Sequence, residues 1–129
     1  MSITVVLAVG LDSWLLSAHS AAWRSAGYIV MPAASIREAI EHFKAGDFDL
    51  VLLGDTVPTP DKERLTFLIR SSGSRTPVIC IADSSGLVDS FADATLGNDS
   101  DALLSGMGEI LARESRLRAA RTPMYSNAT

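Results

Sequence analysis

Three short runs of the chain are apolar at nearly every position. They are Ile3–Val9, Leu50–Leu53 and Val78–Ala82, and each is rich in Val, Ile and Leu. Strands with this pattern are covered on both faces, as in the middle of a parallel sheet. Tyr28–Met31 and Ala94–Leu96 are weaker strand candidates. The pattern therefore predicts a sheet with these central strands and two less certain neighbours.

Helical patterns alternate with the strands. The first helix is predicted from Asp12 to Ala26, with Gly27 as its C-terminal signal. In the second, Ser35 and Glu38 form a capping box ahead of an amphipathic stripe. The stripe consists of Ile36, Ala39, Ile40 and Phe43.

Two more helices complete the alternation. One starts near Asp61 and ends before Gly73, and the last runs from about Asp99 to Arg121. A short helix signal between residues 84 and 93 contains Gly86. Strands that alternate with helices predict a parallel sheet with helices on both faces. Functional residues of such folds lie at the carboxyl ends of the strands, here just after Val9, Leu53 and Ala82.

Composition narrows the class of protein. With 129 residues the chain suits one domain, expected over residues 1–121, and the ending 122–129 reads as a frayed tail. A net charge of −4 argues against nucleic-acid binding through a basic face. No apolar run approaches the ~20 residues of a membrane span. A single cysteine, Cys80, suits a reducing compartment, so a cytoplasmic protein is expected.

Two segments carry a resemblance to a known family. "GYIVMPAASIREAIEHFKAGDFDLVLLGDTVP" and "RTPVICIAD" keep both the pattern and the mutual spacing of a response-regulator receiver domain, the CheY-like family. The resemblance implies a flavodoxin-like three-layer αβα sandwich with a five-stranded parallel sheet in the order 2-1-3-4-5. Because the chain after Ala82 is shorter than in the family, it also implies a shortened fourth helix.

Receivers are phosphorylated, and the residues for that chemistry are missing here. The reaction needs a carboxylate nucleophile, an acidic pair that holds Mg²⁺, a hydroxyl and a lysine. The matched positions are Gly54 for the nucleophile, Gly10 and Leu11 for the acidic pair, and Ala82 for the hydroxyl. No lysine follows Lys62. The resemblance thus implies a degenerate phosphorylation pocket with no catalytic residue, no metal ligand and no cofactor.

Acidic residues still lie near that pocket. Asp12, Asp55 and Asp83 follow the first, third and fourth predicted strands. One hypothesis is a displaced acidic pocket that binds Mg²⁺ and uses Asp55 as a substitute phosphoacceptor. The favoured hypothesis is that these three aspartates cap helices or lie in solvated loops, with Asp12 as the N-cap of the first helix.

Two tryptophans and a histidine fall on the first helix. Trp14 and Trp23 are expected to pack in the core, with a place for Trp14 over the empty pocket as the alternative. His19 has no partner at metal-ligand spacing, so a surface or half-buried histidine is expected.

The favoured function is a pseudo-receiver: a phosphorylation-independent protein-interaction module of two-component or phosphorelay signalling, and not an enzyme. Its partner would be a histidine kinase, another receiver or an output protein, with a homodimer as a further option. Two alternatives stay open. One is phosphorylation at Asp55 with a divalent cation, and the other is a small ligand bound in a strand-end cleft opened by Gly10, Gly54 and Ala82.

Overall fold

The structure, a computed structural model, describes residues 4–82, 91–97 and 99–121. The predicted tail at 122–129, the shortened fourth helix within 83–90, and Asp83 lie outside the described residues. The elements in chain order are β1 (Thr4–Val9), α1 (Ser13–Ser25), β2 (Tyr28–Ala33), α2 (Ile36–Ala45), β3 (Leu50–Leu53), α3 (Thr59–Ser71), β4 (Val78–Ile81), β5 (Ala94–Leu96) and α4 (Ser100–Arg121).

All pairings within the sheet are parallel, and the strand order is β2-β1-β3-β4-β5. One apolar cluster joins the sheet to α2 and α3, and a second joins its other face to α1 and α4. The predicted flavodoxin-like αβα sandwich is therefore confirmed. Of the strand predictions, β3 and β5 have the predicted bounds, while β2 continues to Ala33.

The three central strands are buried as their sequence pattern predicts. Every residue of β3 and β4 is at most 1% exposed, and so are the last four residues of β1. Complete burial of one large aliphatic side chain stabilises a fold by roughly 1.5–3 kcal/mol. These strands therefore join the two helical layers, and this stabilisation does not depend on the residues at the strand ends.

The outer strand β2 is protected against further strand pairing. The Gly10 N–H donates to Ala33 O, so the peptide groups of Ala33 face β1. Peptide groups of neighbouring residues face opposite edges of a strand, and Pro32 accordingly lies on the outward edge. Proline has no N–H to offer there, which disfavours the addition of another strand.

Helix ends follow the predicted signals with small shifts. The Glu38 N–H donates to Ser35 Oγ (3.1 Å), as in a capping box, but the Glu38 carboxylate accepts from the Ala34 N–H (3.2 Å) and not from that of Ser35. The helix α3 starts at Thr59, earlier than predicted, because Pro60 fits the first helical turn. Gly27 and Gly73 follow α1 and α3 with φ of 85° and 88°.

The buried stripe of α1 consists of Leu15, His19 and Trp23. Trp14 lies one position off this stripe and is 71% exposed, so the prediction that it packs in the core is wrong. The expectation for His19 is also wrong: it is 2% exposed and stacks on Trp23 with ring centroids 5.2 Å apart. Both outcomes have one reason, since the spacing of four residues puts His19 between Leu15 and Trp23.

Two glycines of α4 have different surroundings. A Cβ at Gly106 would lie 2.5 Å from Leu96 Cδ1 and 2.7 Å from Cδ2, whereas a Cβ at Gly108 would meet only Tyr28 Oη, at 3.9 Å. The absence of a side chain at Gly106 therefore lets α4 approach β5. Gly108 has no such packing role.

We predict opposite effects for alanine at these two positions. Gly108→Ala should stabilise the protein by about 0.5–1 kcal/mol, because alanine loses less backbone entropy than glycine in a helix. Gly106→Ala should destabilise it by about 1–3 kcal/mol, because the methyl group overpacks against Leu96. Urea unfolding of the two variants and the wild type measures both effects. Equal changes in the two variants would contradict this account of the α4–β5 contact.

Candidate functional site

The carboxyl ends of β1 and β3 meet where the phosphorylation pocket was predicted, and there the main chain fills the space. Gly54 follows β3 and is buried, and its N–H donates to Val9 O (2.8 Å). A Cβ on Gly54 would lie 2.6 Å from the Gly10 carbonyl oxygen and 2.9 Å from its carbon. No real Cβ has such contacts, and the obstructing atoms are backbone. The position thus excludes any side chain unless the loop after β1 moves.

Gly10 is held in place from several sides. Its φ of 69° lies in the left-handed region that favours glycine. Its N–H donates to Ala33 O (3.0 Å), and its carbonyl accepts from the Thr56 hydroxyl (2.6 Å). The Val57 side chain packs so closely that a Cβ on Gly10 would collide with its Cγ2 atom. The loop after β1 is therefore tied both to β2 and to the loop after β3.

The other matched positions offer only carbon atoms. Leu11 is half-buried, and its Cδ1 would lie 3.3 Å from a Cβ on Gly54. Ala82 is half-buried at the end of β4, and its N–H donates to Leu96 O (2.7 Å). The geometry therefore brings Gly10, Leu11 and Gly54 into one contact that contains no metal-binding or nucleophilic side chain.

The acids near this contact have separate surroundings. Asp12 is the N-cap of α1, and its Oδ1 accepts from the Leu15 N–H (2.8 Å), as predicted. Asp55 is exposed, and within the described ranges no hydrogen bond or ion pair holds its carboxylate. Among the residues that the structure describes, no group of three or more His, Cys, Asp or Glu side chains is placed to hold a metal ion.

A cavity of about 240 Å³ lies beside the filled pocket, on its α2 side. It is bounded by the end of β1, the start of α2 and the loop between β3 and α3, and Asp61 is the charged residue of the described lining. Gly54 does not line it. The predicted cleft at Gly10, Gly54 and Ala82 is thus not open at Gly54, and the free volume lies elsewhere.

Thr56 and Val57 are residues of this site that the sequence analysis missed. Thr56 fixes the Gly10 carbonyl and Val57 covers Gly10. The sequence contains one weak signal for this role. Thr56 has a hydroxyl group and lies two positions after Gly54, on the loop that faces the loop after β1. Nothing in the sequence indicates the partner of that hydroxyl, which lies 46 positions away.

No protein-family model matches the sequence, and no curated protein matches it significantly. Solved structures do match. A putative response regulator from Chloroflexus aurantiacus has a TM-score of 0.73 at 23% identity over 86% of this chain and 99% of its own. The receiver domain of the sensor histidine kinase PA1611 from Pseudomonas aeruginosa, with a magnesium ion in its active-site cleft, has a TM-score of 0.67 at 22% identity over 87% and 97%.

A third similar structure is the complex of the histidine kinase ThkA with the response regulator TrrA. Its matching chain has a TM-score of 0.68 at 20% identity, over 84% of this chain and 99% of that one. At these identities the likeness concerns the fold. This chain therefore has the fold of CheY-like response-regulator receiver domains, with glycine, leucine and alanine at the positions that the resemblance assigns to phosphorylation chemistry.

Proposed function

We propose that this chain is a pseudo-receiver: a protein-interaction module of two-component signalling that works without phosphorylation and is not an enzyme. The observation that carries the proposal is the contact between Gly10 and Gly54. The space for a phosphoacceptor side chain is taken by the Gly10 carbonyl, 2.6 Å from the Cβ that such a residue would need. A pocket filled by hydrogen-bonded backbone cannot take up a phosphoryl group without remodelling the loop.

We attribute the absence of phosphoryl transfer to all the matched positions of the pocket and not to Gly54 alone. Phosphoryl transfer depends almost entirely on positioning and on electrostatic stabilisation of the phosphoryl oxygens. At the matched positions described here, Gly10, Leu11, Gly54 and Ala82 supply neither metal ligands nor a hydroxyl. An aspartate elsewhere in the loop, such as Asp55, would face water without these groups.

An exposed aromatic side chain on α1 supports a role in protein binding. Trp14 lies in the first turn of α1, directly after the Asp12 cap, and is 71% exposed. A large exposed aromatic side chain is a common anchor of protein interfaces. A complex of a histidine kinase with a response regulator is among the similar structures. We therefore propose that a signalling protein, either a histidine kinase or another protein of the pathway, docks around Trp14.

The net charge and the cysteine content support two further parts of the proposal. No helix in the described ranges combines the length and the apolar character needed to cross a membrane. The net charge of −4 leaves protein partners favoured over nucleic acid. We also propose that the protein is cytoplasmic. The grounds are its single cysteine, the buried Cys80, which suits a reducing compartment, and the proposed signalling pathway.

We predict that the protein takes up no phosphoryl group. Incubation with acetyl phosphate and Mg²⁺ should leave its intact mass unchanged, because the pocket has neither room nor ligands. Gly54→Asp should also stay unmodified, since a carboxylate alone restores neither the metal site nor the hydroxyl. An adduct on the wild type that disappears in Asp55→Ala would instead establish Asp55 as the phosphoacceptor and refute the proposed function.

We predict that Gly54→Ala destabilises the protein by at least about 2 kcal/mol, because its methyl group meets rigid backbone atoms of Gly10. Gly97→Ala is the matched control, since nothing lies within 4 Å of a Cβ there. Gly97→Ala should change stability by less than about 0.5 kcal/mol. Thermal or urea unfolding measures both. A Gly54→Ala variant as stable as the wild type would mean that the loop after β1 leaves the pocket at little cost.

We predict that Trp14→Ala abolishes capture of the partner. In crosslinking pull-downs from the source cell, the wild-type protein should recover a histidine kinase, receiver or output protein, and the variant should recover it at least about tenfold less, as for an interface anchor. Phe67→Ala is the matched control, because Phe67 is 68% exposed on α3, in the other helical layer. Equal losses in both variants, or none in Trp14→Ala, would place the interface elsewhere.

A further inference from the structure

The outer face of α3 contains a groove that none of the described elements fills. Phe67 is 68% exposed at its centre, and the half-buried Phe91, from the turn before β5, lies along one side. The volume of the groove is about 580 Å³, and its described lining also includes the charged residues Glu63, Arg64 and Arg70. An aromatic centre with a charged rim is typical of a surface that binds protein.

The charges on this face follow a definite order. Glu63, Phe67 and Arg70 lie on one stripe of α3, because spacings of four and three residues return to the same side of a helix. Along the helix axis, the carboxylate lies about 6 Å before the aromatic residue and the guanidinium about 4.5 Å after it. A second α3 that runs in the opposite direction would therefore place its Arg70 opposite this Glu63, and its Glu63 opposite this Arg70. The face is complementary to itself.

The two charged groups are available for such a contact. Arg70 Nη1 donates to Thr76 O (2.7 Å) and Nη2 donates to Asp93 Oδ2 (2.6 Å), which fixes the guanidinium, yet the side chain is still 37% exposed. A guanidinium has five N–H donors, so others can bind a second carboxylate. Glu63 is exposed, and within the described ranges no hydrogen bond or ion pair engages its carboxylate.

We propose that two copies of this chain form a dimer through α3, with the helices antiparallel and the two-fold axis at Phe67. Phe67 of each copy packs on Phe67 and Phe91 of the other, and Glu63 of each copy pairs with Arg70 of the other. Each contact occurs twice because of the two-fold symmetry. A second copy suits this face because its two ends match each other in charge and in distance from Phe67. Since one helix and one turn form the contact, a Kd of roughly micromolar magnitude is expected.

The dimer does not depend on the proposed signalling role. The helix α3 lies in the layer opposite α1, so dimerisation leaves Trp14 accessible to a partner. Phe67→Ala should therefore separate the two surfaces, because it removes the dimer and leaves capture of the partner through Trp14 intact.

Sedimentation equilibrium over a series from micromolar to millimolar protein tests the proposal. The wild type should show a reversible monomer–dimer equilibrium. Phe67→Ala should raise the Kd at least about tenfold by removing the apolar anchor, and Glu63→Arg should do so by placing like charges opposite each other. Leu68→Ala is the matched control, because Leu68 is an exposed apolar residue of the same helix outside the described lining, and it should leave the Kd unchanged. Far-UV circular dichroism confirms that each variant is folded.

Crosslinking tests the direction of the helices. Arg64 and Ser71 share one flank of α3, so Arg64 of one copy lies opposite Ser71 of the other in an antiparallel pair. With a short bismaleimide, a mixture of Arg64→Cys and Ser71→Cys should crosslink far more than either variant alone, and the buried Cys80 should stay unmodified. A wild type that is monomeric throughout the series would overturn the proposal. A dimer that Phe67→Ala and Glu63→Arg leave intact, or crosslinking no stronger in the mixture, would also overturn it.

Discussion

The close approach of Gly10 to Gly54 sets the geometry of the sheet edge on which the proposed function rests. In a parallel sheet, the carboxyl ends of neighbouring strands meet at one edge, so the loops after β1 and β3 compete for the same space. Both loops have a glycine at the meeting point. The Gly10 carbonyl takes the volume and accepts the Thr56 hydroxyl, and Val57 closes the other side. Each feature requires the next, because a side chain on either glycine would separate the loops.

The stability of the fold does not depend on the residues at the strand ends, because the core is built from other residues. The buried aliphatic side chains of β1, β3 and β4 join the two helical layers, and none of them takes part in chemistry at the strand ends. The residues at the strand ends can therefore differ without any loss of core packing. Backbone hydrogen bonds from the Gly10 N–H to Ala33 O and from the Gly54 N–H to Val9 O continue the parallel sheet by one residue and add to that stability.

The helix α1 carries Trp14, the residue around which we propose that a partner docks. Its N-terminus has the Asp12 cap and the exposed Trp14, and its last turns carry Trp23 and Arg24. The buried stripe through His19 holds the helix against the sheet between these two ends. A partner at Trp14 would therefore contact a helix that is firmly packed against the sheet.

The strands and most helix ends were predictable from local signals in the sequence: continuous apolar runs, the Ser35 cap and the glycines after α1 and α3. The order of the strands was implied by the resemblance to receiver domains. The sequence also located the residues missing from the pocket. What occupies their place depends on tertiary packing. The contact of Gly10 with Gly54 and Thr56 and the exposure of Trp14 and Phe67 arise between residues distant in the chain or between faces of packed elements. Such contacts depend on distances of a few ångströms, which periodicity and spacing do not specify.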